Sequence, residues 1–350
     1  MQRLAPSQRG RMKAAAAALA FAALLFVSTS LLRSPRTRDA PSIDTCSPLG
    51  PTRRCPTEVP AALRQKELES LTDDELAHLF SEGGAVAVRK VMPGRNKNAA
   101  VANVAPRQHY GEEFIQGVLT RIEKRQSVHW GYAEDVVLYD VVKDFPDAFR
   151  GKRVVIPGSE LPHYEVFLQR FAGAASTETL EYRMFSVSEP KIHVRLVETY
   201  WREVAAAPGS PDHVFDTVFS YSNFEHDGLG RYGDPLDPDG DRKAVKEMWS
   251  MLRPGGHLIL ALPVGADCVA FYGNRRYGPL RLGWLLQGFR LRKFYATASP
   301  DYHPGPTDPC TAMPQWVFVL ERANSVDANP LYSLRAQLPE QFWTLKPLHP

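Results

Sequence analysis

The chain has little net charge, and this limits the partners that it is expected to have. Across 350 residues, 42 lysines and arginines nearly balance 39 aspartates and glutamates, which leaves a formal charge of +3. Much of the basic excess lies within the first 38 residues. Because no strong basic field covers the rest, nucleic acid is a poor default partner and none is expected.

Cysteine is also scarce, and the four that occur are Cys46, Cys55, Cys268 and Cys310. None belongs to a C-x-x-C pair, so they do not form a zinc motif. In an oxidising lumen an even number permits two disulfides, Cys46–Cys55 and Cys268–Cys310, and four free thiols are the alternative. The sequence lacks an Asn-x-Ser/Thr sequon, so a luminal protein would carry no N-glycan.

One apolar run is long enough to cross a membrane. Residues 14–32 carry no charge over 19 positions, and a helix of this length spans just under ~30 Å, the thickness of a bilayer core. Basic residues flank the run, and the following "LLRSPRTRDA" offers no clean A-x-A cleavage site. We predict a single-pass signal anchor with a luminal body in the Golgi or endoplasmic reticulum. A cleaved signal or an organelle-targeting leader is the alternative.

Composition and periodicity divide the chain into six segments. They are a basic tail (1–13), the anchor (14–32), a Pro-, Arg-, Ser- and Thr-rich stem (33–62), a mainly helical extension (63–150), a core domain (151–323) and a tail (324–350). Residues 85–110 show no clear periodicity, whereas the rest of the extension has amphipathic helical patterns.

From residue 152 apolar runs alternate with helical patterns, which is typical of an α/β protein. The predicted parallel strands are "KRVVIPGS", "TETLEYR", "KIHVRLV", "VFDTVFSYS" and "HLILALPV". This order predicts a doubly wound, mostly parallel sheet with helices on both faces. The last two runs, "FRLRKFYAT" and "QWVFVLER", are predicted to add a C-terminal antiparallel pair. Ligands of such sheets bind beyond the carboxyl ends of the strands.

Two motifs of this region resemble a known class of enzymes. "FDTVFSYSNFEH", followed by a helix ending in "MLRPGGHLILALPV", resembles class I S-adenosylmethionine-dependent methyltransferases. More narrowly, "GRYGDPLDPDGD" and "NRRYGPLRL" resemble the uncharacterised family called domain of unknown function 268. The resemblance covers about residues 152–322. It implies a Rossmann-like methyltransferase fold and S-adenosylmethionine as the cofactor.

The resemblance places the cofactor at three strand ends. The cofactor-binding residues that it implies are Gly158, Ser159, Glu160, Glu181, Ser222 and Asn223. Glu181 ends the second strand, where a carboxylate would accept the two ribose hydroxyls. The loop at Gly158 has one glycine, whereas the family usually has two or three. A plain strand–helix turn at Gly158 and a surface role for Glu181 are the alternatives.

The polar edge after "VFDTVF" also supplies the predicted catalytic and acceptor-side residues. Glu225 and His226 are candidate general bases if the acceptor is a hydroxyl, and a structural role is the alternative for His226. The acceptor-side candidates are Arg231, Tyr232, Asp234, Asp237, Arg275 and Arg276. Arg275 and Arg276 would meet an anionic acceptor, and a solvated loop is the alternative. The aspartate-rich loop misses the register of a calcium loop, so no metal site is expected.

Three functions remain open from the sequence alone. The first is a membrane-anchored methyltransferase for an unknown acceptor, for which a luminal body would suggest a glycan or another secretory-pathway substrate. The second is a methyltransferase fold without its cofactor that acts as a binding or scaffold module, which the single glycine favours. The third is a nucleotide-sugar transferase, which the D-x-D sequence at 237–239 favours, although it lies in a proline-rich turn.

Overall fold

The computed structural model describes residues 73–82, 86–90, 108–129, 131–159, 161–210, 214–232, 234, 236–271, 273–297 and 314–345. The predicted anchor at 14–32, the stem and Glu160 lie outside the described residues. Among the helices that are described, none has the length and apolar character needed to cross a bilayer.

Twelve strands and nine α-helices make up the regular structure of the described residues. The strands are β1 (Ala87–Lys90), β2 (Gln108–Tyr110), β3 (Arg153–Pro157), β4 (Ser176–Glu181), β5 (Phe185–Val187), β6 (Ile192–Leu196), β7 (Phe215–Tyr221), β8 (Leu252–Pro263), β9 (Cys268–Phe271), β10 (Asn274–Arg276), β11 (Phe289–Tyr295) and β12 (Gln315–Arg322). The helices are α1 (Asp73–Phe80), α2 (Glu112–Glu123), α3 (Leu138–Asp144), α4 (His163–Arg170), α5 (Val197–Ala206), α6 (Gly240–Met251), α7 (Arg281–Leu285), α8 (Leu331–Gln337) and α9 (Glu340–Trp343).

A seven-stranded sheet forms the core, with the strand order β11-β12-β8-β7-β3-β4-β6. The five strands from β8 to β6 run parallel, and β12 is antiparallel to both of its neighbours. The predicted mostly parallel sheet with a C-terminal antiparallel pair is therefore confirmed. Strands β3, β8 and β12 carry continuous apolar stretches, which is the pattern that sequence reasoning identifies best.

The two faces of the sheet bury separate apolar clusters. Val154 and Ile156 of β3 face α2, α3 and α4, whereas Val155 faces the helices from α5 to α9. This alternation follows from the two-residue period of a strand. Burying a large apolar side chain contributes about 1.5–3 kcal/mol, so the two clusters stabilise the sheet from both sides.

The junction of α6 and β8 differs from the prediction that "MLRPGG" ends a helix. Helix α6 ends at Met251, and the strand begins at Leu252. Gly255 takes a left-handed φ of 72°, and a Cβ on Gly256 would come within 2.9 Å of the Asp216 carbonyl oxygen. Glycine is therefore needed because the chain turns and passes close to β7 before the parallel register begins.

Short strands join the N-terminal segment to the core. Strand β1 enters a three-stranded sheet of order β1-β9-β10, and β2 pairs with β5. Leu76 and Phe80 of α1 pack with Leu229 and Trp284. None of these five strands was predicted, because three or four residues are too few to show an alternating pattern.

Cys268, in β9, is disulfide-bonded. The other three cysteines lie outside the residues that the structure describes. The pairing with Cys310 therefore stays a prediction.

Candidate functional site

The carboxyl ends of β4, β3 and β7 lie side by side at one edge of the main sheet. Gly158 follows β3, Glu181 ends β4, and residues 222–226 follow β7. The first and last of these segments touch, because a Cβ on Gly158 would lie 2.5 Å from Asn223 Oδ1. The structure thus brings the three predicted strand ends together.

These strand ends line a cleft of about 420 Å³. That volume lies within the range of about 300–1,000 Å³ that is typical of small-molecule sites. The predicted site residues that line it are Gly158, Ser159, Glu181, Ser222, Asn223, His226, Tyr232 and Asp234.

Glu181 is held at the strand end by two backbone amides. Ser159 N–H donates to Oε1 at 2.6 Å, and Tyr182 N–H donates to Oε2 at 2.9 Å. Burial raises the pKa of the Glu181 carboxyl, and these amides oppose that effect. Each carboxylate oxygen has a second lone pair, so Glu181 can still accept hydrogen bonds from two hydroxyl groups.

Ser222 joins three other elements through its side chain. Its Oγ donates to Glu225 Oε1 at 2.5 Å and accepts from Tyr132 OH at 3.0 Å and Gln315 Nε2 at 3.1 Å. One donor and two acceptor sites are thereby used, which is the full capacity of a hydroxyl. Ser222 also has a left-handed φ of 54°, a conformation that costs about 1–3 kcal/mol and persists where the surroundings enforce it.

His226 is fixed in one tautomer by its backbone partner. Its Nδ1 lies 2.7 Å from the Gly273 carbonyl oxygen. Because a carbonyl can only accept, Nδ1 carries the proton, and Nε2 of the neutral ring keeps a free lone pair. Burial lowers the pKa of His226 below its usual value, although Glu225 opposes this. The ring is therefore neutral at pH 7 and can act as a base.

Glu225 lies beneath the cleft, outside its lining. Its side chain is fully buried, with Oε1 3.8 Å from His226 Nε2 and hydrogen-bonded to Ser222. Glu225 therefore contacts Ser222 and His226 but does not itself line the cleft, in contrast to its predicted role as a general base.

The loop after Gly228 brings some of the predicted acceptor-side residues to the cleft. The Tyr232 ring packs edge-on against His226 with centroids 5.5 Å apart, and Asp234 accepts from the Gly230 and Tyr232 amides. Arg231 reaches the Gly273 carbonyl at 3.4 Å. Asp237 lies off the cleft and pairs with Lys243 at 2.5 Å.

The expectation that Arg275 and Arg276 face an acceptor is wrong. Both are buried, at 0% and 1% exposure. Arg275 donates to the carbonyls of Asp227, Asp237 and Pro238, and Arg276 Nε donates to Ala266 O at 3.1 Å. Both arginines belong to β10, a buried strand that the sequence analysis did not predict.

Most aromatic residues of the lining were missed, among them His129, Tyr132, Tyr164 and Tyr221. Tyr221 is the last residue of β7, so its position beside Ser222 was available as a signal. His129 and Tyr132 lie about 90 residues earlier, between α2 and α3. Nothing in the sequence indicates that this segment reaches the end of β7.

Glu165 of α4 is fully buried beside the Gly158 loop. Thr179 Oγ1 donates to its Oε1 at 2.7 Å. Burial raises the pKa of this carboxyl from 4.5 to about 7. The unfolded chain therefore releases this proton at a lower pH than the folded protein does.

Replacing Glu165 with glutamine should remove a pH-dependent loss of stability. As pH rises from 4.5 to 7, the parent loses stability because ionisation is easier after unfolding. The two pKa values differ by about 2.5, which corresponds to about 3 kcal/mol. Relative to the parent, Glu165→Gln should gain up to that amount of unfolding free energy between pH 4.5 and 8. Urea denaturation at both pH values measures it, with exposed Glu113→Gln as the control. If the unfolding free energies of Glu165→Gln and the parent differed by the same amount at pH 4.5 and pH 8, the raised pKa of Glu165 would be contradicted.

Within the described part of the chain, no three His, Cys, Asp or Glu side chains are grouped to hold a metal ion.

Comparison with known proteins identifies a family and several structural relatives. Residues 151–303 match the family described as "Caenorhabditis protein of unknown function, DUF268". This confirms the resemblance inferred from the sequence over that region. No curated protein matches the chain significantly.

Solved structures to which this chain is similar include methyltransferases. The chain is 12% identical to the 1,6-didemethyltoxoflavin N1-methyltransferase of Burkholderia thailandensis, covering 68% of this chain and 94% of that one, with a TM-score of 0.40. It is 12% identical to the N-methyltransferase NodS of Bradyrhizobium japonicum, covering 61% and 100%, with a TM-score of 0.37. The [4+2]-cyclase SpnF is 13% identical, covering 61% and 94%, also with a TM-score of 0.37. At these values the likenesses assign no activity to the chain.

Proposed function

We propose that this protein transfers the methyl group of S-adenosylmethionine to an acceptor. The proposal rests on one observation, that Gly158, Glu181, Ser222, Asn223 and His226 line the same cleft. Glu181 keeps acceptor capacity for two ribose hydroxyls, and the Gly158 loop presents backbone close to the ligand. Val197, Trp201 and Met248 form an apolar side of the same cleft, which suits the flat adenine base.

The chemistry requires a base when the acceptor is a hydroxyl. The cofactor supplies an electrophilic methyl group on its sulfonium. His226 Nε2 would accept the proton of the acceptor hydroxyl during the transfer. The Gly273 carbonyl, which accepts from Nδ1, stabilises the imidazolium that results. Correct alignment of the reacting atoms supplies the rest of the rate enhancement.

The charges of the cleft favour a neutral or cationic acceptor. Its lining among the described residues carries the acidic side chains of Glu181, Asp227, Asp234 and Glu247 and the guanidinium of Arg183. Burial raises the pKa of Glu181, Asp227 and Glu247. Arg183 is the one cationic side chain of that described lining, so an anionic acceptor has little attraction to gain there. A hydroxyl of a glycan, or another neutral acceptor of the secretory pathway, meets this condition.

Methyl transfer should depend strongly on His226. We expect the full chain to transfer labelled methyl from S-adenosylmethionine to a panel of neutral oligosaccharides and secreted glycoproteins. Because a general base contributes about 10²–10⁴-fold, His226→Ala should lower the rate by that factor. The matched control is His257→Ala on β8, away from the cleft. Full activity in His226→Ala would remove the base from the proposal. Cofactor binding without transfer to any acceptor would favour a binding module, and transfer from a nucleotide sugar would favour a glycosyltransferase.

We further propose that residues 14–32 anchor the protein with its body in the lumen of the secretory pathway. The support is the uncharged 19-residue run and its basic flanks. The full chain should stay in the membrane pellet after carbonate extraction and resist protease until detergent is added. A variant with three leucines of the run replaced by aspartate should be lost from the pellet. Release of the parent chain by carbonate, or its digestion in intact vesicles, would contradict the anchor and the luminal body respectively.

A further inference from the structure

Three tyrosines form one side of the cleft, which we call the aromatic wall (Tyr132, Tyr164 and Tyr221). The ring centroids of Tyr164 and Tyr221 lie 5.1 Å apart, and those of Tyr132 and Tyr221 lie 5.2 Å apart. All three residues line the cleft. They lie on the face of the sheet that α2 and α4 cover, opposite the apolar side formed by α5 and α6.

Two of the three rings of the aromatic wall are held in place by hydrogen bonds from their hydroxyl groups. Tyr132 OH donates to Ser222 Oγ at 3.0 Å. Tyr164 OH donates to Asp135 Oδ2 at 3.4 Å, and Asp135 itself accepts the Val128 and His129 amides. A preorganised site of this kind loses little side-chain freedom when a ligand binds.

The third tyrosine has a buried hydroxyl. Tyr221 is 8% exposed, and its hydroxyl has no hydrogen-bond partner among the described residues. A buried polar group without a partner is unusual in a folded protein. The ring of Tyr221, which contacts both Tyr132 and Tyr164, is therefore the part of this residue that can meet a ligand.

The position of the aromatic wall fits one end of a ligand held at Glu181. Glu181 ends β4, and Tyr221 ends β7, with β3 and Gly158 between them. Neighbouring strands lie about 4.8 Å apart, so the two ends are roughly 10 Å apart. A nucleoside whose ribose binds Glu181, and whose base lies on the apolar side, directs its other substituent past Gly158 toward the aromatic wall.

We propose that the aromatic wall is a cation-binding subsite that makes the protein bind S-adenosylmethionine more tightly than its uncharged-sulfur product, S-adenosylhomocysteine. This inference rests on the proposed function. Aromatic faces attract a cation within about 6 Å of the ring centroid, and the attraction grows when water is excluded. The acidic side chains of the cleft lining act in the same direction, because a nearby cation favours their ionised form. The product, which lacks the sulfonium charge, loses this attraction, and the loss favours its release.

Calorimetric titration of the full chain with both ligands tests the subsite. Tyr132 is partly exposed, so Tyr132→Leu removes a ring at the edge of the wall. We expect its dissociation constant for S-adenosylmethionine to rise about tenfold, whereas that for S-adenosylhomocysteine changes less than about twofold. The product titration shows that the site is intact in the variant. Tyr132→Phe, which keeps the ring and loses the bond to Ser222, should keep most of the preference.

The outcomes separate this inference from the function on which it rests. If Tyr132→Leu weakens the binding of both ligands equally, the cation-binding subsite is refuted and the proposed cofactor site is retained. If the parent binds neither ligand, both proposals fail. A second test uses the parent protein and sinefungin, an analogue with an amine in place of the sulfonium methyl. Sinefungin should bind more tightly than S-adenosylhomocysteine. Equal or weaker binding would overturn the subsite even if Tyr132→Leu did not fold.

Discussion

Replacing Glu181 with alanine should raise the dissociation constant for S-adenosylmethionine at least tenfold. The change removes two hydrogen bonds from ligand hydroxyls to a carboxylate, each worth about 1.5–3 kcal/mol. It also frees the Ser159 amide, which Glu181 now holds at 2.6 Å. The cofactor would then lose both its ribose contact and part of the ordered loop beside Gly158.

Calorimetry with the full chain measures the dissociation constant, and two further variants serve for comparison. Glu181→Gln keeps one acceptor oxygen and should lie between the parent and Glu181→Ala. Glu203→Ala, on the exposed surface of α5, should bind like the parent. Unchanged affinity in a folded Glu181→Ala protein would refute the assignment of this residue to the ribose.

Replacing Asp241 with alanine should lower the free energy of unfolding by about 3–5 kcal/mol, the usual result of removing one partner from a buried ion pair. Asp241 is completely buried and accepts from Arg281 Nη2 at 2.9 and 3.0 Å and from Tyr277 OH at 2.9 Å. Burial opposes its ionisation, but Arg275 and Arg281 hold its pKa below the usual value. Alanine would leave both guanidinium groups buried without this carboxylate.

Urea denaturation at pH 7 measures the loss of unfolding free energy in Asp241→Ala. The matched control is Asp239→Ala, two residues earlier, because Asp239 pairs with Arg242 near the surface at 2.9 Å. A pair of this kind contributes about 0–1 kcal/mol. A loss below about 1 kcal/mol in Asp241→Ala would contradict the account of the buried cluster.

The main sheet and its ligand-binding edge could be predicted because their signals are local and long. Strand β8 carries an unbroken apolar run, and the polar residues after β7 interrupt an equally clear one. The rule that ligands bind at the carboxyl ends of parallel strands then placed Gly158, Glu181 and His226 together. These inferences needed no knowledge of distant contacts.

The parts that could not be predicted depend on contacts between distant segments. Strands β1, β9 and β10 are too short for periodicity to show, and they bury Arg275 and Arg276 instead of exposing them. Tyr132 reaches Ser222 across 90 residues, and Gln315 reaches it across 93. Tertiary packing alone makes Ser222 the point where these segments meet.

The central claim is that the cleft at the ends of β3, β4 and β7 binds S-adenosylmethionine. Calorimetric titration of the full chain with S-adenosylmethionine, alongside a panel of uridine and guanosine diphosphate sugars, tests it most directly. The account predicts saturable binding of one S-adenosylmethionine per chain, weakened at least tenfold by Glu181→Ala, and no binding of the nucleotide sugars. Saturable binding of a nucleotide sugar without binding of S-adenosylmethionine would contradict it.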